Sequence, residues 1–180
     1  MIALVWNGVL GFFIFDAFRD PVWGFSSIFF FLFMIPFVLI GLVLILGVAQ
    51  SFLGLFNPVF EIAMSTGAIT RGKGVDIAWE IKGNQKRIER LRIVAVGTET
   101  ATYTRGTDTV TDTSHFGLVP IVETTETEEI SFGSQTITIP TDAVHTFKDS
   151  NNEIFWAIQV RADIPLFPDV FQTHIFRVKP

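Results

Sequence analysis

Between Ile28 and Ala49 the chain reads IFFFLFMIPFVLIGLVLILGVA, 22 residues without a charged side chain. The uncharged run around it extends from Pro21 to Phe60. A bilayer core is about 30 Å thick, and a helix needs roughly 20 apolar residues to cross it. In hydrocarbon every main-chain N–H and C=O has to be satisfied within the segment, so the run is expected to be an α-helix. Seventeen of the 22 residues are Leu, Ile, Phe or Val. Together they favour insertion by roughly 5 to 10 kcal/mol, less toward the ends. A core helix of a soluble protein would be shorter and would carry a polar side.

Composition divides the chain sharply. Thirteen of the 20 phenylalanines lie in residues 1–60, and only three of the 31 formal charges do, Asp16, Arg19 and Asp20. The remainder is polar and Thr-rich. The expected organisation is a membrane region over 1–57, with helices at about 2–18 and 26–50, and a second domain over 58–180. A net charge of −5 argues against a nucleic-acid partner, which calls for a basic face. Seven of the 13 basic residues fall between Arg71 and Arg92, but Asp76, Glu80 and Glu89 are mixed among them. The absence of cysteine excludes disulfides, thiol nucleophiles and Cys-based metal sites.

Residues 1–15, MIALVWNGVLGFFIF, form a second uncharged run. It reads as a membrane or steeply inserted helix, with a signal peptide and a soluble amphipathic helix as rivals. Pro21 and Gly24 punctuate the link over 19–24, and Trp23 is placed as an interfacial anchor. The two segments then make a helical hairpin. Pro36 is expected to kink the long helix, while Gly41 and Gly47 leave room for another helix to approach. No ionisable group lies inside the long span, so transport by the hairpin alone is not expected. Arg71 and Lys73, at the limit of the positive-inside window, lean the second domain toward the cytoplasm.

From Val59 onward the period becomes two. Val75, Ile77, Trp79 and Ile81 alternate with polar or small residues. Separate strands are expected over Ile88–Val96, Glu99–Thr104 and Val119–Glu123. Ser131–Ile139 reads as a hairpin around Gly133-Ser134, and Val144–Phe147 leaves room for a short helix. Ile154, Trp156, Ile158 and Val160 give the cleanest alternation, and His174, Phe176 and Val178 close the last strand. Seven to nine short strands with turn signals between them predict an antiparallel β-sandwich.

Several stretches together resemble one family: LVWNG at Leu4–Gly8, IPFVLIG at Ile35–Gly41, LFNP at Leu55–Pro58, YTRGTDTVTD at Tyr103–Asp112, and the region from Ile139 to Val170 that contains NNEIFWAIQVRADIPLFPDV. The chain is similar to a bacterial family of multi-pass membrane proteins of uncharacterised function, whose tail looks like an arrestin-like or immunoglobulin-like β-sandwich. The resemblance implies a place in the bacterial inner (plasma) membrane and brings no enzymatic residues with it. Longer members carry a further membrane segment and a small domain ahead of the position of Met1. The resemblance thus implies either a short member or a start inside a longer gene.

Few residues invite chemistry. Asp108 and Asp112, in what reads as a Thr-rich turn, offer oxygen ligands for Ca²⁺, but the spacing matches no EF-hand loop, and an ordinary hydrogen-bonded loop is the better reading. His115, His145 and His174 are scattered without a zinc motif. No G-x-S-x-G elbow and no phosphate-cradling glycine loop occur. The acidic run Glu123–Glu129 reads as a solvated loop, and Trp79 and Trp156 as core. No cofactor or bound metal is expected. The sequence reads best as a non-enzymatic protein in which a helical hairpin tethers a β-sandwich to the lipid bilayer. The sandwich would bind another protein, with Arg105, Asp108, Asp112 and Glu126 as its contact loop. A subunit of a larger envelope or transport assembly, packed through Gly41 and Gly47, is the alternative. A membrane-bound hydrolase fits least.

Overall fold

The computed structural model describes the backbone of residues 1–19 and 25–180, and the side chains of 1–19 and 28–180. Trp23 and the 19–24 link, assigned above to the membrane interface, lie outside the described residues apart from Arg19. The chain forms two compact units, Met1–Phe56 and Asn57–Pro180.

The first unit is a pair of helices, α1 (Ile2–Arg19) and α2 (Phe25–Gly54). Both are long and apolar enough to cross a membrane, properties that a signal sequence near the N-terminus would share. They run antiparallel, with Phe18 against Phe31 at one level and Trp6 stacked on Phe37 at another, ring centroids 5.6 and 6.2 Å apart. Pro36 sits inside α2 and withholds one main-chain N–H. The two polar groups of α1 that face α2 are both satisfied. The Trp6 indole N–H donates to the Phe37 carbonyl at 3.1 Å. Asn7 Nδ2 donates to the carbonyls of Ala3, at 2.8 Å, and Gly41, at 3.3 Å.

The second unit contains nine strands. A smaller sheet has the order β1 (Val59–Met64), β3 (Gly74–Lys82), β6 (Phe132–Thr138), antiparallel throughout. The larger sheet runs β2 (Ala68–Thr70), β9 (Val170–Lys179), β8 (Asn152–Asp163), β4 (Arg90–Arg105), β5 (Asp108–Thr124). The two-residue strand β7 (Phe147–Lys148) pairs with the start of β8. Only β2 with β9 is parallel. Both sheets contribute to one buried core. Phe60, Val75, Ile77, Trp79 and Ile137 come from the smaller sheet, and Ile93, Ala95, Trp156, Ile158, Val160, Phe176 and Val178 from the larger. Two antiparallel layers closing over one such core make a β-sandwich. Both tryptophans lie in it, with indole N–H groups donating to the Glu129 and Val144 carbonyls at 2.8 Å.

Five local expectations are corrected. The strands expected over Ile88–Val96 and Glu99–Thr104 are one 16-residue strand, because β8 pairs continuously across the gap, through Gly97↔Trp156 and Thr98↔Phe155. The short strand at Val119–Glu123 is the end of a 17-residue strand. Ser131–Ile139 is not a hairpin, since Phe132–Thr138 is a single strand. Gly133 is there to admit Trp79: a Cβ on it would lie 2.3 Å from the indole Cζ2. The acidic run is not a loop throughout. Glu123 is paired in β5, and Thr127–Ser131 forms a one-turn helix, α3, anchored by buried Ile130. No helix forms at Val144–Phe147, where Thr146 N–H donates instead to the Val178 carbonyl at 3.0 Å.

Candidate functional site

The residues assigned to one contact loop do not come together. Arg105 and Asp108 face each other across a two-residue hairpin turn, Gly106-Thr107, that joins β4 to β5. Gly106 has φ +68, the sign that the first position of a type II′ turn requires. Glu126 lies beyond the far end of β5, just before α3, at the opposite pole of the unit.

The proposed Thr-rich turn is therefore strand, and this removes Asp108 and Asp112 as a chelating pair. Four residues apart on one strand face, they are separated by about 13 Å, whereas one Ca²⁺ draws its oxygens to about 2.4 Å. Asp112 has a different partner: Tyr103 donates its phenol O–H to Asp112 Oδ2 at 2.8 Å. This hydrogen bond, reinforced by the carboxylate charge, raises the Tyr103 pKa above its ordinary value. The histidines are dispersed as well. His115 Nδ1 meets Thr98 Oγ1 at 3.1 Å on the outer face of the larger sheet, while His174 stands opposite Ile158 on its inner face. Among the described residues no three His, Asp or Glu side chains gather as a metal site would need.

Gly41 and Gly47 differ. A Cβ on Gly41 would lie 2.5 Å from Asn7 Oδ1, so this glycine permits the approach of α1 within the chain. Among the described residues, a Cβ on Gly47 would meet nothing within 4 Å.

The feature that sequence reasoning missed is the outer face of the larger sheet. In the register, Leu118 faces Val96, Val96 faces Ala157, and Ala157 faces Ile175. This makes an apolar row across four strands. Val94, Val96 and Ala157 are buried but stand outside the inter-sheet core cluster. The row ends in two largely bare side chains, Leu118 at 61% and Ile175 at 70% exposure; Phe171, four residues along the same face of β9 and opposite Arg161, is also bare. The sequence signal was the run Val94-Ala95-Val96, where alternation fails because both faces of the strand are apolar.

Charge borders this row. Arg92 and Arg161 face each other across β4 and β8, with Arg92 paired to Glu123 at 3.7 Å. Arg161 pairs with Asp163 at 3.0 Å and Asp169 at 3.1 Å. Hydrogen bonds and attraction from these carboxylates, Asp163 first, raise the Arg161 pKa further above its ordinary value. Arg90, Arg92, Glu123, Arg161 and Asp163 line a polar hollow of about 190 Å³.

No protein-family model matches the sequence, and no curated protein does. Among solved structures the chain is similar to Spo0M, a sporulation control protein from Bacillus subtilis, at 14% identity and a TM-score of 0.47. That likeness covers 68% of this chain and 49% of the other. A DUF4466 family protein from Parabacteroides merdae is similar at 7% identity and a TM-score of 0.35, over 68% of this chain and 44% of the other. The chain thus spans about half the length of each. Both are distant likenesses of fold, and no function passes from either to this chain.

Proposed function

We propose that this is a bacterial inner-membrane protein in which α1 and α2 anchor a β-sandwich of the arrestin-like or immunoglobulin-like kind, and that the sandwich is a non-enzymatic module that binds another protein. The anchor reading is supported by α2, whose apolar side chains are almost all left uncovered by protein. In water such a helix would have to be buried. The binding reading is carried by one observation: the Leu118–Val96–Ala157–Ile175 row ends in exposed aliphatic groups beside a charged border. An apolar centre within a polar rim is the anatomy of protein–protein interfaces. The proposal gives the chain no cofactor and no nucleic-acid partner.

The alternative, a subunit of a larger membrane assembly, is favoured by Gly47 alone, since Gly41 is already taken by Asn7. A photo-crosslinking residue at Ile175 tests the binding reading in whole cells. A discrete protein adduct that disappears on adding Leu118→Asp is expected. No adduct at Ile175, or one that Leu118→Asp leaves intact, would count against this face.

A further inference from the structure

The segment Ile164–Asp169, IPLFPD, joins β8 to β9 and holds Leu166 at φ 63°, the one non-glycine residue with positive φ among those described. A left-handed backbone is strained for any residue with a branched side chain, and glycine or asparagine would relieve it. The loop around it is pinned on all sides. Ile164 is buried, and its N–H donates to Asp169 Oδ1 at 3.4 Å. Phe167 N–H returns to the Ile164 carbonyl at 3.2 Å, and the Arg87 guanidinium lies 4.6 Å above the Phe167 ring. Leu166 itself is 96% exposed and takes no part in the core. A rigid loop, closed by prolines at 165 and 168, thus presents one aliphatic side chain outward against a backbone preference.

Its place in the chain keeps it close to the end of α2. Asn57 Nδ2 donates to the Pro168 carbonyl at 2.7 Å, so this loop sits where the chain enters the β unit. Asn57 follows the last residue of α2, Gly54, by three residues, a reach of about 10 Å whatever the angle between the two units. If α2 leaves a bilayer near Gly54, Asn57 and the loop it holds start at or just beyond the edge of a headgroup layer about 5 to 7 Å deep. The carboxylates of Asp163 and Asp169 are both paired to Arg161, so the loop offers no free negative charge to oppose contact with lipid.

We propose that Leu166 is a second membrane contact, an aliphatic foot that enters the interfacial zone of the bilayer crossed by α2. The proposal rests on the anchor reading given above. The chain has no cysteine, so single cysteines can carry an environment-sensitive fluorophore in the full-length protein, reconstituted in phosphatidylcholine vesicles. Leu166→Cys removes no core contact. Thr107→Cys, at the opposite pole, reports water, and Leu42→Cys, within α2, reports lipid. Emission from position 166 should be blue-shifted and several-fold brighter than from position 107, and nitroxide at the headgroup level should quench it more than nitroxide deep in the acyl chains. A water-like signal at 166 beside a lipid-like signal at 42 would overturn this proposal alone. A water-like signal at 42 would overturn the anchor reading and this proposal with it.

Discussion

The two units bury apolar side chains by opposite means. In the β unit, the larger sheet lays Trp156, Ile158 and Val160 against Ile77 and Trp79 of the smaller one, and the core residues are shielded by protein. Among the described residues of the helical unit, the seam between α1 and α2 is packed through Trp6, Asn7, Phe37 and Gly41, and side chains such as Leu32, Val43 and Leu46 face outward. The lesson is that exposure has no fixed cost. A leucine left bare in water carries a cost of hydration, while a leucine bare on α2 carries none if its solvent is as apolar as itself.

Paired substitutions break or sharpen this contrast. The largest effect belongs to the packed core. Trp156→Ala should cost the β unit about 3 to 5 kcal/mol, read from denaturant unfolding of residues 57–180. Leu46→Ala on the open side of α2 should leave the unfolding of the β unit unchanged in the full chain, and a shift there would show that the helices are part of the same cooperative core. Charge comes next. Leu42→Arg should oppose insertion of α2 by about 2.5 to 3.5 kcal/mol, seen as a fall in the membrane-bound fraction. Ile175→Arg, on a still barer side chain of the β unit, should change its stability by no more than about 0.5 kcal/mol.

The seam between the helices should be worth less. Asn7→Leu removes two donated hydrogen bonds, of which one crosses to the Gly41 carbonyl, and should weaken the α1–α2 contact by about 0.6 to 1.7 kcal/mol, measured by cross-linking of the two helices in detergent. The smallest effect lies at the β4–β5 hairpin. Tyr103 is the only tyrosine, so phenolate absorbance follows it alone. Its hydrogen bond to Asp112 favours the neutral phenol. Any stability it contributes is therefore present below the ordinary tyrosine pKa and lost as pH rises through the raised one. Asp112→Asn should lower the titration midpoint, and an unchanged midpoint would remove the hairpin contact from the account.

Legibility followed how local the physical cause is. Helix α2 could be read because Ile28–Ala49 is an unbroken apolar run long enough that only a helix satisfies its backbone in apolar surroundings. Strands β3 and β8 could be read because one face of each meets the core and the other does not. The long hairpin of β4 and β5 could not, since its end runs past Asn152, the last β8 residue paired with β4, and without a buried face there is no apolar alternation to see. Gly133 looked like a turn because its reason, the Trp79 ring, comes from 54 positions away. The α3 turn was hidden among glutamates for a similar reason: what holds it is Ile130 in the core and the Trp79 indole on Glu129. Among the site residues, Arg105, Asp108 and Glu126 were chosen for charge, which does not report position. The face that the fold assembles is aliphatic and drawn from four strands, a combination that no single stretch displays.

The central claim is that the solvent of the helical unit is lipid and that of the β unit is water. Alkaline extraction of membranes, run side by side on the full chain and on residues 57–180, tests it most directly. The full chain should stay with the lipid, and residues 57–180 should fold and remain in the supernatant as a monomer. Release of the full chain as a water-soluble protein would contradict the claim.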